Sequence, residues 1–160
     1  MITDLEEETL DLDWFSVDVD GEIAHFASGG RGFLPPSVKA SRENLNRLIA
    51  YFRSILAVNG DAIESPNFSS HKQFQSEAQK SMYLADYSQM GAKGLYSFDY
   101  VVVSKRPSGY FVVARPSHPL NVEILPHNIQ EIIKKTCFFG AFSRLNMVEE
   151  NEFGSRGHPT

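Results

Sequence analysis

Five histidines, one cysteine and a concentration of N-terminal carboxylates are the residues of this 160-residue chain that could carry chemistry. His25, His71, His118, His127 and His158 share no spacing such as His-x-x-x-His and have no acid or cysteine beside them in a recognised pattern. A metal site would therefore have to be assembled by the fold, and none is expected. Asp18-x-Asp20-Gly21 has the outline of a calcium loop. With those residues at its third, fifth and sixth positions, however, Ser16 falls first and Ala27 last, where Asp and a bidentate Glu belong. Cys137 is the only cysteine, so no intramolecular disulfide is possible, and its place between Thr136 and Phe138 is that of a small buried hydrophobe. Gly-x-Ser-x-Gly is absent, and a triad of His25 or His118 with a distant Ser and Asp has no support in the spacing. Asp11, Asp13 and Asp18 could share one surface, but exposed acids without an apolar pocket lack the raised pKa of a general acid. No catalytic residue and no cofactor is assigned.

Gly29-Gly30-Arg31-Gly32 follows one predicted strand and precedes a predicted helix, which is where a phosphate loop would stand. A P-loop needs Gly-Lys-Ser/Thr entering the helix, and a dinucleotide fingerprint needs a third glycine where Pro35 and Pro36 stand, so the motif is weak. The other reading is an adaptable loop with Arg31 and Phe33 exposed at its tip as contacts.

Charge is distributed more informatively than its total of -5 suggests. Asp4, Glu6, Glu7, Glu8, Asp11, Asp13, Asp18, Asp20 and Glu22 place nine of the twenty acids in the first 22 residues, and no Lys or Arg precedes Arg31. From Ile23 onward fifteen bases face eleven acids. An acidic edge on a mildly basic body suits a cationic partner, or serves only as a solvated face, and it argues against non-specific nucleic-acid binding. Trp14 and Phe15 are adjacent within that edge, so on a strand they face opposite ways, and one of them is expected to be an exposed aromatic anchor.

The elements that must position these groups are legible in the hydrophobic periodicity. Residues 12–18 and 22–28 read as a hairpin, with Asp20-Gly21 suited to a type I′ turn. Ser41 can cap a helix whose stripe is Leu45, Leu48, Ile49, Phe52, Ile55 and Leu56. A second helix is predicted from about Ser70 to Met90, with Phe74, Ala78, Met82 and Ala85 inward and Gly91 as its stop. Residues 95–104 and 110–115 form a second hairpin around the turn Arg106-Pro107-Ser108-Gly109. Leu120–Ile124 reads as a short edge strand, Pro126 opens a last helix carrying Ile129, Ile132 and Ile133, and Phe138, Phe139 and Phe142 return to the core.

At ~150 residues per domain the length predicts one domain, set here at residues 1–148 with a mobile tail over 149–160. The fold class expected is α+β: a mainly antiparallel sheet with two main helices on one face and a short C-terminal helix. Apolar runs fall far short of the ~20 residues a bilayer needs, so no membrane is expected. Acids stand within the first ten residues where a targeting peptide needs bases, which predicts a cytoplasmic location.

Three segments carry a resemblance. Asp13-Trp14-Phe15-x-Val17-Asp18-x-x-Gly21-x-Ile23-Ala24-x-Phe26-x-Ser28-Gly29-Gly30, Gly94-Leu95-Tyr96-x-Phe98-Asp99 and Ala114-Arg115-Pro116-x-x-Pro119-Leu120 resemble a set of small bacterial proteins without assigned activity. Some of these resemble immunity proteins of polymorphic toxin systems. The resemblance spans Asp11 to about Phe142 and implies a single-domain antidote that binds and neutralises a cognate protein toxin by occluding its active site. It brings no catalytic motif. On that reading Asp11, Asp13, Asp18 and Asp20 mimic substrate phosphates, Trp14 or Phe33 anchors, and Arg31 sits at the rim. The competing expectation is a small-ligand-binding protein or enzyme that uses the Gly29 to Pro36 loop, with His25 as an acid–base group. A third is an accessory or homodimer module; the sequence leaves the oligomeric state open.

Overall fold

In the computed structural model, described for residues 1–57, 60–66, 68–102 and 108–154, a capped N-terminal helix leads into the first hairpin. Thr3 and Glu6 form a reciprocal capping box that starts α1 (Asp4–Thr9). Strands β1 (Asp13–Val17) and β2 (Ile23–Ala27) pair antiparallel, then the glycine run leads to a four-residue helix α2 (Pro36–Lys39). Pro36 thus opens a helix where only an irregular loop was expected. Ser41 caps α3 (Arg42–Ser54) as expected, accepting from the Asn44 amide, and Leu45, Leu48 and Phe52 are its buried stripe.

Strand β3 (Ala62–Glu64) and helix α4 (Glu77–Ala92) precede the second hairpin, β4 (Tyr96–Val101) with β5 (Gly109–Pro116). Its predicted turn falls mostly on residues 103–107, outside the described residues. Helix α5 (His127–Ile133) and the short strands β6 (Cys137–Phe138), β7 (Met147–Val148) and β8 (Phe153–Gly154) complete the order. The eight strands form one sheet in the order β3-β5-β4-β2-β1-β6-β8, with β7 also on β5. Among the described residues the parallel pairs are β2–β4 and β1–β6, so the fold is α+β with a mainly antiparallel sheet.

Both faces of this sheet are covered, which corrects the expectation for the Trp14-Phe15 pair. Phe15, Val17 and Ile23 face α3, α4 and α5 through Leu48, Phe52, Met90, Ile129 and Ile133. Trp14, Phe26, Phe98 and Tyr110 face the other way, under Leu34, Val38, Phe138, Phe142 and Val148. Trp14 and Phe15 are therefore both buried, at 0% and 1% exposure. Each inner face removes its own aromatic from water, so neither is a surface anchor.

Other departures have local causes. The first hairpin closes through a three-residue loop: Gly21 N–H donates to the Asp18 carbonyl, Asp18 N–H to that of Glu22, and only Gly21 takes positive φ (+80°). That is a turn followed by a left-handed glycine rather than a type I′ turn. Helix α4 starts at the Ser76 cap and turns Tyr83, Tyr87 and Met90 inward, leaving Ala78, Met82 and Ala85 exposed. The helix runs through Gly91 to Ala92 with Lys93 as its cap, and Gly94 beyond it takes positive φ. Asn121 pins Val122–Ile124 as a 3₁₀ turn instead of an edge strand, its side chain accepting from the Glu123 amide. Phe139 is 60% exposed. The predicted tail is folded as far as Gly154, where β8 pairs with β6 and the Phe153 ring lies edge-on to Trp14 at 5.2 Å; residues 155–160 lie outside the described residues.

One buried cation ties the helices together. Lys93, just past α4, donates from Nζ to the carbonyls of Phe52 and Arg53 at 2.8 Å each. It thereby satisfies the C-terminal end of α3, the end from which Arg53 reaches the sheet.

Candidate functional site

Side chains alternate along β1, β2 and β4, so Asp13, His25, Ser97 and Asp99 all lie on the helix-covered face. The parallel pairing of β2 with β4 sets His25 opposite Ser97, and their Nδ1 and Oγ atoms are hydrogen bonded at 2.7 Å. On the other side of the ring Nε2 meets Asp13 Oδ1 at 3.1 Å, and Asp13 Oδ2 accepts from Arg53 at 2.8 Å. Burial alone would raise the Asp13 carboxyl. The hydrogen bonds and charges of His25 and Arg53 outweigh it and hold the pKa at about 2.

Asp, His and Ser are thus in contact, as in a hydrolase, but the array is not one. Ser97 is wholly inaccessible, locked in the sheet interior, so its oxygen cannot reach a substrate carbonyl. What is open to solvent is the Asp13 end. There Asp11, Asp13, His25, Arg53, Asp86 and Tyr87 line a cleft of about 210 Å³.

A second polar knot lies one strand step further along β4. Asp99 Oδ2 accepts from the Tyr83 hydroxyl at 2.5 Å and from Lys72 Nζ at 3.2 Å, and the Lys72 ammonium also stands 3.9 Å from the centre of the Tyr83 ring. Burial first, and the Asp99 charge second, push the Tyr83 and Tyr87 hydroxyls far above their ordinary range. They are hydrogen-bond donors that do not ionise at physiological pH. Beside this knot a cavity of about 390 Å³ opens between the glycine loop and Lys72.

The acidic edge divides into structural and free carboxylates. Asp4 and Glu7 both take the Lys39 ammonium at 2.5 Å, Glu6 takes Arg42 at 2.8 Å, and Glu7 also accepts from the Leu34 amide at 2.6 Å. Asp18 is fully buried. It accepts from the backbone amides of Asp20, Glu22 and Phe142 at 2.9 to 3.0 Å, yet burial still raises its pKa. It holds the β1–β2 turn against the start of the Phe142–Arg144 turn and is not available to a partner. Asp20 is exposed at the far end of the hairpin, separated from Asp13 by the length of five-residue β1, about 17 Å. The four aspartates expected to form one patch are therefore not one surface.

Some of the exposed acids lie near the stretch between α1 and β1 and the glycine loop, while Asp20, Asp61 and Glu77 are exposed elsewhere. Asp11 is exposed and accepts from the Gly29 amide at 2.8 Å. Among the described residues Glu8, Asp11, Asp20, Asp61, Glu77, Asp86 and Glu150 are exposed and form no ion pair, although the Asp86 charge also acts on Arg53. Glu7, Glu8 and Glu150 rim a hollow of about 270 Å³ with Arg31, Phe33 and Tyr100. Arg31 is exposed as expected. Phe33 is only partly exposed, its ring edge-on to Tyr110 at 5.0 Å.

Among the described residues no group of three or more His, Cys, Asp and Glu is placed to hold a metal ion, and no helix is long and apolar enough to cross a membrane. No protein-family model, no curated protein and no solved structure matches the chain. The Asp13–His25–Ser97 array and the Asp99 knot both depend on the adjacency of β2 and β4. Periodicity identifies each hairpin but not which of their strands pair, and so does not bring these residues together.

Proposed function

We propose that this protein is an immunity-type inhibitor that binds a cognate bacterial toxin and occludes its active site. The observation that carries the reading is a group of exposed carboxylates outside the ion pairs, Glu8 and Glu150 rimming the cleft at the glycine loop and Asp11 and Asp86 lining a second cleft. Carboxylates already neutralised by Lys39, Arg42 or Arg53 add little field, whereas free ones steer a cationic surface and stand in for the phosphates it would bind. Arg31 and the partly exposed ring of Phe33 lie within the same surface and give it register. Trp14 and Asp18 have no part in it, because both are buried for the sake of the fold.

The test begins with affinity capture from an extract of the source organism. The captured protein is then expressed in a growth assay with and without this chain. The expected result is growth arrest by the partner alone, relieved by the native chain but not by a variant with Glu8, Asp11, Asp86 and Glu150 reversed to Lys, and an association rate that falls as salt rises. A partner without toxicity, or equal rescue by the reversed variant, overturns the reading. Asp13 and Asp18 are left untouched because reversing them would unfold the protein and mimic lost binding.

A further inference from the structure

We propose that the cavity between the glycine loop and Lys72 binds a small phosphate-bearing organic anion, at a site that shares Arg31 with the acidic surface but does not require any toxin. Its volume, about 390 Å³, lies within the range of small-molecule pockets. Its lining includes Gly29, Arg31, His71, Lys72, Asp99 and Tyr100. The charges there run against the rest of the molecule. In a chain of net charge -5, this concavity holds Arg31, Lys72 and a histidine against a single carboxylate.

That carboxylate is already committed. Asp99 takes the Tyr83 hydroxyl and Lys72 on the same oxygen, so it neutralises one cation and offers little repulsion to an incoming anion. The pairing also fixes Lys72 before any ligand arrives, with the Tyr83 ring as a second support. His71 is likewise held, its ring centre 4.0 Å from that of Phe111. Two of the three cationic or protonatable groups are therefore pre-positioned, which lowers the ordering cost of binding.

Arg31 is the group free to move. It lines both this cavity and the hollow rimmed by Glu7, Glu8 and Glu150, and among the described residues it forms no ion pair. A bound phosphate group would recruit it by charge-assisted hydrogen bonds of the bidentate kind that guanidinium makes. The backbone leaves room for this: Gly29 has φ +58°, and a Cβ built there would meet nothing within 4 Å. The open space is on the Cβ side of Gly29; its amide is already bonded to the Asp11 carboxylate. Tyr100 with Val101 and Val102 offers an apolar wall for the rest of the molecule.

The experiment is titration calorimetry of the full chain with three probes: AMP, inorganic pyrophosphate and adenosine. Saturable binding of AMP and pyrophosphate, with none for adenosine, is expected. Arg31→Gln and His71→Gln should each weaken AMP binding by about tenfold, the loss of one charged hydrogen bond. Both side chains lie outside the core, and an unchanged unfolding midpoint in each variant shows that the fold is intact. No saturable binding of either anion, adenosine binding as tightly as AMP, or undiminished affinity in both folded variants overturns the proposal. Because the probes are small molecules, either result leaves the toxin-binding reading to its own assay.

Discussion

The indole N–H of Trp14 donates to the hydroxyl of Tyr110 at 3.0 Å, and that hydroxyl donates in turn to the carbonyl of Phe33 at 2.8 Å. This chain of two bonds fastens the segment after the glycine run to the centre of the sheet. Gly32 lies directly over the same hydroxyl, and any Cβ at that position would collide with it. Tyr110→Phe keeps the ring packing but leaves a buried indole donor and a carbonyl without their partner. The expected cost is about 2 to 3 kcal/mol in urea unfolding, because a stranded buried polar group costs ~1–3 kcal/mol. Tyr100→Phe, on the neighbouring and more open ring, should cost less than about 0.5 kcal/mol.

Asp13 makes stability depend on acidity. Its carboxyl ionises at about 2 in the folded protein against an ordinary 3.8, held down by His25 and Arg53 in spite of its burial. A depressed carboxylate contributes its full share above the unfolded value and loses it as pH falls through the folded one. The window is therefore from about 4 down to about 2. Asp13→Asn should remove about 2 kcal/mol at neutral pH and flatten the acid limb within that window. Unfolding midpoints of both proteins at neutral pH and near pH 3 decide it. A parallel acid limb in the variant would mean that other carboxylates carry the transition.

Local chemistry made much of this fold readable. Leu45, Leu48 and Phe52 at helical spacing behind Ser41 gave α3, and the alternation of Tyr96 with Phe98 gave β4, because each pattern reports one face of one element. The fate of Trp14 was not readable in that way. Whether a strand has one buried face or two depends on what later folds over it, here Phe138, Phe142 and Phe153 from far along the chain. The acidic edge shows the same limit. Composition counts nine carboxylates in 22 residues, but only tertiary partners such as Lys39, Arg42 and the Phe142 amide separate those that serve the fold from Glu8, which faces solvent. Helix α4 departs in phase from the expected one because its inward face is two tyrosines meeting a polar stripe of sheet, which leaves no aliphatic periodicity in the sequence.

Two glycines at the end of α4 should respond differently to the same methyl group. Gly91 is inside the helix, where alanine gains ~1 kcal/mol in propensity. Its Cβ, however, would stand 2.6 Å from the Ala62 Cβ of edge strand β3, and overpacking costs ~1–3 kcal/mol. Neither contacting atom is the end of a flexible chain, so Gly91→Ala is expected to destabilise by about 1 kcal/mol on balance. Gly94 lies just beyond the helix at φ +93°, with its own amide donating to the Gly91 carbonyl and that of Leu95 to Met90. Alanine there would meet Leu120 N and Cβ at 2.8 Å in a conformation that L residues avoid, so Gly94→Ala should cost about 3 kcal/mol. Denaturant unfolding of both variants gives the comparison. Stabilisation by Gly91→Ala would show that β3 yields to α4, making the edge of the sheet the most loosely held part of the fold.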